Sequence, residues 1–262
     1  MTPYRTFAAL HAAAEPLLLP NAWDVASALA LSEAGFPAIG TTSLGVAAAA
    51  GVPDAAGLAR DATAALGRTL ARLPVPITVD IESGFSTDPG AVVALAVELA
   101  EHGVAGVNLE DSPGGALADV GERARLVRAI KDAVPELFLN ARTDTHWLDA
   151  TAPVADAVAR IRAYADAGAD GVFVPAIAEP ADVEAVVGAV DVPVNVLFLP
   201  GRTTVAGLAE LGVRRISTGS YLFRATLGAL LHTAAAVRSG TPLPAEVPPY
   251  AEIERRTATL DA

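Results

Sequence analysis

The chain has 262 residues, 52% of them apolar, with no cysteine and a single lysine, Lys131. The length suits one α/β barrel, and the missing thiols exclude disulfides, thiolate metal sites and cysteine nucleophiles. Eighteen basic against thirty acidic residues give a net charge of −12, which disfavours nucleic acid or an anionic membrane as a partner. No apolar run reaches the roughly 18 residues of a membrane span, and the N-terminus lacks a signal-peptide pattern, so a soluble cytoplasmic protein is expected. A lone lysine assigned to a helix also leaves Schiff-base chemistry without its amine.

Strand-like and helix-like segments alternate along the chain. Leu17–Leu19 reads as a first strand, followed by Pro20-Asn21-Ala22-Trp23-Asp24 and a helix over Val25–Ala34 that stops at Gly35. Ala38–Ser43 is the second strand, and Pro53-Asp54 opens a helix running towards Leu73. Ile77–Glu82 is the third, and the next helix has Asp88 as N-cap and Pro89 at its first position. Gly106–Asp111 and Leu137–Arg142 are the fourth and fifth strands, with helices near Glu122–Ala133 and Val154–Ala167. Gly171–Pro175, Pro193–Phe198 and Arg215–Gly219 complete the strands, with helices from Pro180, at Thr204–Leu211 and over Leu222–Val237. Eight such units without a composition break predict one α/β domain over residues 1–262, a single (β/α)8 barrel of the TIM type. A doubly wound open sheet is the alternative, but no glycine fingerprint follows the first strand. From about residue 241, Pro242, Pro244, Pro248 and Pro249 predict an extended tail before a last helical stretch.

The third strand places Asp80 and Glu82 two residues apart, hence on one face. Two carboxylates side by side in a dry interior require compensation, which a hard cation such as Mg²⁺ supplies. Taken alone, the stretch fits a solvated strand end equally well. Barrel sites lie at the strands' C-terminal ends. There stand Thr41, Thr42 and Ser43; Asp80 and Glu82; Asn108, Glu110 and Asp111; Asn140, Arg142 and Asp144; then Asn195, Thr218, Ser220 and Arg224. This convergence favours a divalent-metal site at Asp80, Glu82 and Glu110. Arg142 suits a substrate carboxylate, which its planar fork binds bidentately; the other reading is an ion pair with Glu110 or Asp144.

Five motifs then occur in order: Leu19-Pro20-Asn21-Ala22-Trp23-Asp24, Gly51-Val52-Pro53-Asp54, Val79-Asp80-Ile81-Glu82-Ser83-Gly84-Phe85, Asn108-Leu109-Glu110-Asp111 and Asn140-Ala141-Arg142-Thr143-Asp144. In this combination the chain resembles the isocitrate lyase/phosphoenolpyruvate mutase superfamily over nearly its whole length. The resemblance implies a barrel whose eighth helix is exchanged between subunits, in a homotetramer built as a dimer of dimers. It implies Mg²⁺ (or Mn²⁺ in its place) near Asp80, with Glu82 and Glu110 acting largely through water. It also implies a small anionic 2-oxo acid held by Arg142 and the backbone near Thr42, Ser43 and Leu44, with Arg224 beside the substrate; Asp80 and Asn195, from the strand-end set, are the further substrate-binding candidates.

Departures narrow the chemistry. Ser112-Pro113-Gly114-Gly115-Ala116-Leu117-Ala118 lacks the Cys and His of the lyase loop and the Lys and Asn of the phosphonate enzymes, while keeping the small residues of a lid. Ala176 stands where many lyases carry Glu. For proton transfer the candidates are His146, oriented by Asp144, and Asp54; such a His is more often an ordinary loop residue, and Asp54 reads equally as a helix N-cap after Pro53. The expected activity is a Mg²⁺-dependent lyase making or breaking a C–C bond beside a 2-oxo acid. A P–C bond enzyme and a non-catalytic 2-oxo acid binder are the alternatives.

Overall fold

A computed structural model describes residues 1–243 and 247–258; Pro244 of the expected tail lies outside them. The chain opens with a helix that the strand-and-helix reading did not contain, α1 (Pro3–His11). β1 (Leu17–Leu19) and β2 (Asn21–Ala22) follow, then α2 (Val25–Glu33), β3 (Ile39–Thr41), α3 (Ser43–Ala49) and α4 (Arg60–Leu70). β4 (Ile77–Asp80), α5 (Pro89–Glu101), β5 (Gly106–Glu110) and α6 (Val120–Ala133) come next. β6 (Phe138–Arg142) leads into a short α7 (Thr145–Leu148), then α8 (Val154–Asp166), β7 (Gly171–Val174) and α9 (Pro180–Val187). The last elements are β8 (Val194–Leu197), α10 (Val205–Glu210), β9 (Arg215–Ser217), α11 (Tyr221–Ser239) and α12 (Tyr250–Ala258).

All strand pairs are parallel, in the order β1-β9-β8-β7-β6-β5-β4-β3-β2. β1 pairs with β9 and β2 with β3, so the two segments are one stave divided at Pro20, which has no N–H to give the ladder. The barrel closes across that break. Asn21, 3% exposed, staples it: its Nδ2 donates to the Thr41 carbonyl (2.8 Å), and its Oδ1 accepts from the Thr218 and Gly219 N–H groups (3.0 and 2.9 Å). A Cβ on Gly40 would lie 2.7 Å from that Nδ2, so the staple needs glycine opposite it.

The cap expected at Asp88 is present, and Asp24 adds another. Asp88 accepts from Gly90 N–H (3.0 Å), and Asp24 closes a capping box with Ser27. Outward-facing Val79, Val107, Leu109, Leu139 and Ala141 pack with Leu95, Leu99, Leu126 and Ile130 of the surrounding helices. α1 covers the barrel's N-terminal mouth, Phe7 packing with Leu17, Ala38, Ala105 and Phe138. Lys131, the single lysine, is engaged by Asp170 (2.6 Å) and the Pro135 and Leu137 carbonyls.

Three expectations are corrected. The helix from Pro53 to Leu73 is instead a loop and then α4 (Arg60–Leu70), with α3 already ended at Ala49. Positive φ at Gly51, Ala55 and Gly57 (73°, 57° and 71°) turns the chain away from helical geometry, and Asp54 is an exposed loop residue, not an N-cap. The second strand ends at Thr41, with Thr42 the N-cap of α3. The third ends at Asp80, two residues before Glu82.

Replacing Asn21 with Leu would strand a carbonyl and two N–H groups inside the seam. A loss of about 2–4 kcal/mol of unfolding free energy is expected in urea titration, against almost none for a substitution on the exposed face of α8.

Candidate active site

Strand ends β4, β5 and β6 carry the polar cluster. Asp80 closes β4, where its N–H donates to Thr41 Oγ1 (2.9 Å) and its carboxylate accepts from Glu82 N–H (3.1 Å). The backbone then turns sharply, with φ of 50° at Glu82, 103° at Gly84 and 58° at Phe85. A left-handed conformation at a non-glycine residue costs energy and is held by its surroundings. Here Glu110 N–H donates to the Glu82 carbonyl (3.0 Å), and Gly84 fits against Val92, where a Cβ would fall at 2.5 Å. Glu82 therefore reaches the cluster through a turn, not through strand alternation. Its Oε2 accepts from Gly57 N–H (3.3 Å), so the loop after α3 lies over it, and its buried Oε1 has no partner among the described residues.

Glu110 ends β5 and Arg142 ends β6, side by side in the ladder. Arg142 Nη1 meets Glu110 Oε2 at 3.2 Å, and its Nε donates to Asp144 Oδ1 at 2.5 Å. Both ion pairs offered as alternatives for Arg142 are thus made at once, leaving Nη2 for a ligand. The guanidinium also stands 5.6 Å from the Trp147 ring and 5.7 Å from that of Phe173. Asp144 accepts in addition from Ser112 Oγ, tying the first residue of the 112–118 loop to the arginine. Arg160 Nη1 donates to the Ala118 carbonyl (3.0 Å) and anchors the loop's far end. Asp111 is scaffold: it accepts from Asp144 N–H (2.9 Å), Tyr164 Oη (2.7 Å) and Arg160 (3.0 Å).

Burial pushes the Glu82 carboxyl up to about 7, against the Gly57 N–H and with the Asp54 and Asp80 charges reinforcing it. Burial likewise lifts Glu110 to about 8; Arg142 opposes the shift, and Asp80, Asp144 and Glu82 add to it. Asp80 is raised by burial, with Arg142 the main opposing charge. Burial works against the charge of Arg142, but Asp144, Glu110 and Asp80 more than offset it and hold its pKa above the usual value. The cluster holds more negative charge than one arginine balances.

A cation answers that excess. Among the described residues no three acids or histidines close on one point as a direct cage. Mg²⁺ needs none, since it binds through one or two carboxylates and keeps several waters. Asp80 at the strand end, the unpartnered Oε1 of Glu82 and Glu110 fit such a hydrated ion.

Thr42, Ser43, Asp80, Glu82, Glu110 and Arg142 are thus brought together, with Leu44 in the first turn of α3 and Asp54 on the covering loop. His146 is buried in α7, but Asp144 does not orient it. That carboxylate is taken by Arg142 and Ser112, and the ring's Nδ1 lies 3.2 Å from Thr145 Oγ1, leaving Nε2 unpartnered. Arg224 is exposed on the first turn of α11. Asn195 is 1% exposed in the barrel interior, both amide atoms unpartnered among the described residues, rather than on the rim. Trp23 packs between α3 and α11: a Cβ on Gly45 would meet it at 2.6 Å, and its ring lies edge-on to Phe223. Sequence reasoning passed over Ser112, Trp147 and Arg215. The last carries no local signal, since β9 (Arg215-Ile216-Ser217) has polar residues on one face whichever way that face points.

Between the unfolded glutamate value and pH 8 the folded chain binds protons that the unfolded chain has lost, so unfolding free energy falls as pH rises across that window. Metal-free protein is expected to melt at lower temperature at pH 8 than at pH 5. Added Mg²⁺, which replaces those protons, should raise the melting temperature more at pH 8; the same increment at both values would contradict the assignment.

The sequence and fold have known counterparts. The family model for phosphoenolpyruvate phosphomutase matches residues 7–238. An uncharacterized protein of Mycobacterium tuberculosis, Rv1998c, is 45% identical over 251 residues, covering 96% of this chain and 95% of its own. The 2-methylisocitrate lyase of Bacillus subtilis is 35% identical over 184 residues, covering 65% of this chain and 59% of the relative. A solved phosphonopyruvate hydrolase in complex with oxalate and Mg²⁺ shares the fold, with a TM-score of 0.87 at 23% identity over 99% of this chain and 96% of that one. The chain belongs to the phosphoenolpyruvate mutase family, within the isocitrate lyase/phosphoenolpyruvate mutase superfamily of enzymes.

Proposed function

We propose that this protein is a Mg²⁺-dependent lyase that makes or breaks a C–C bond beside a 2-oxo acid, by oxaloacetate-like decarboxylation or retro-aldol release of pyruvate. The observation that carries the reading is the buried, over-acidic cluster of Asp80, Glu82 and Glu110 set against Arg142. Bound there, the metal would polarise the 2-oxo group and stabilise negative charge as it develops. Mn²⁺ would serve in its place. Arg142 Nη2 meets the substrate carboxylate, and the backbone at Thr42, Ser43 and Leu44 faces the same space. Asp54 above the cluster and the free Nε2 of His146 are the groups assigned to proton movement. Decarboxylation asks little of a general acid, which suits a 112–118 loop without Cys, His or Lys.

The family model itself favours a second reading, P–C bond chemistry. Against it, the 112–118 loop offers no cation to a phosphoryl group. Pyruvate and phosphate release would be followed for oxaloacetate, methylisocitrate, a 4-hydroxy-2-oxo acid and phosphonopyruvate, with Mg²⁺ and with chelator. Metal-dependent pyruvate without phosphate is expected, falling about 100-fold or more in Asp80→Ala. Phosphate release would move the protein to the P–C branch, and binding of oxalate with no turnover would make it a 2-oxo acid binder.

The assembly proposed is a homo-oligomer, a dimer of dimers exchanging α11. That helix leaves Leu227, Leu230, Leu231 and Val237 exposed by 43%, 61%, 71% and 65%, an apolar face that water disfavours. Sedimentation is expected to give a tetramer, and Leu230→Glu with Leu231→Glu a smaller species.

A further inference from the structure

Side-chain alternation in the barrel wall places Val79, Val107, Leu139, Val194 and Ile216 outward, in the core beneath the helices. Their neighbours Thr78, Asp80, Asn108, Asn140, Asn195 and Arg215 therefore face the interior. Arg215 is 1% exposed and reaches across from β9 to the opposite stave, β5, where its Nη2 donates to Asn108 Oδ1 at 3.1 Å. Asn140 Nδ2 donates to the same oxygen at 3.0 Å. Asn108 is the cross-strand neighbour of Asp80, so this hydrogen-bonded bridge runs directly below the carboxylate cluster. The guanidinium rests 5.7 Å from the ring of Phe7, on the floor that α1 supplies.

No acid among the described residues forms an ion pair with Arg215, and its Nε and Nη1 have no partner. Burying an unpaired charge costs several kcal/mol, and an apolar side chain would fill the space without that cost. Burial pulls the Arg215 pKa down to about 9, and the charge of Asp80 resists the shift. An arginine keeps its proton inside proteins, and the Asn108 bridge holds this cation on the wall beside Asp80.

We propose that Arg215 is a positioning residue for the active site, a fixed counter-charge below Asp80 that weakens the site's hold on its metal and strengthens its hold on an anionic substrate. The inference rests on the metal-dependent reading of the site. Through Asn108 the bridge also fixes the wall beside Asp80. A charge of this kind acts with opposite sign on the two ligands, whereas a residue needed only for packing would affect both alike.

The test is Mn²⁺ binding to the metal-free protein, read by electron paramagnetic resonance, and oxalate binding at saturating Mn²⁺, read by calorimetry. The variants are Arg215→Met, Arg215→Gln and Arg215→Lys. In the two neutral variants Mn²⁺ is expected to bind about threefold or more tighter and oxalate about threefold or more weaker, with Lys close to the parent in both. Parallel weakening of both ligands, or no change in either, would overturn the proposal while leaving the lyase reading intact. So would failure of both neutral variants to fold when the Lys variant folds, because the residue would then be structural. A parent protein that binds no Mn²⁺ would overturn the metal reading, and this inference with it.

Discussion

Like charges forced together away from water dominate this molecule. Asp80, Glu82 and Glu110 converge from two neighbouring staves, and Asp144 and Asp54 bring further negative charge close by. Only a framework that is rigid on every side can hold them, because each would relieve its burial by turning towards solvent. The framework supplies Arg142 between Glu110 and Asp144, a Gly57 N–H above Glu82 and the Arg215 bridge below. These contacts hold the acids in place without neutralising them. The remaining negative potential is what a divalent ion and its substrate would meet.

That rigidity depends on a closed barrel. Proline at position 20 interrupts the first stave, and the gap is spanned by the side chain of Asn21 joining the ends of β3 and β9. The motif around Asn21 thus contributes to the site from a distance. It aligns the C-terminal strand ends so that residues from β4, β5 and β6 can share one space.

Most of the architecture was legible in the sequence, because strand periodicity, Asp88-Pro89 and the stops at Gly35 and Gly168 are local signals and the structure keeps them. The elements that were misread depend on contacts distant in sequence. The third strand seemed to run to Glu82, since apolar alternation continues through Ile81; the turn exists because Gly84 packs on Val92 of α5. The helix drawn from Pro53 relied on a plausible cap, whereas the alanines of 47–50 belong to a helix already ending and three positive φ values follow it. The candidate residues Asp80, Glu110 and Arg142 were picked out by their chemistry, and the fold brings them side by side. Arg215 was missed because nothing in its local sequence separates a cation in the barrel from one on its outer surface. Only closure of the sheet decides that.

The link from Ser112 to Asp144 and from Asp144 to Arg142 has a consequence for timing. A ligand carboxylate received on Nη2 would share the guanidinium with Asp144, whose other oxygen secures the start of the 112–118 loop. Occupancy of the arginine and placement of the loop are therefore thermodynamically linked, and the linkage is reciprocal: whatever holds the loop in one place must change ligand affinity by the same factor. Under the proposed function, the loop would register the arrival of a substrate without a separate sensor.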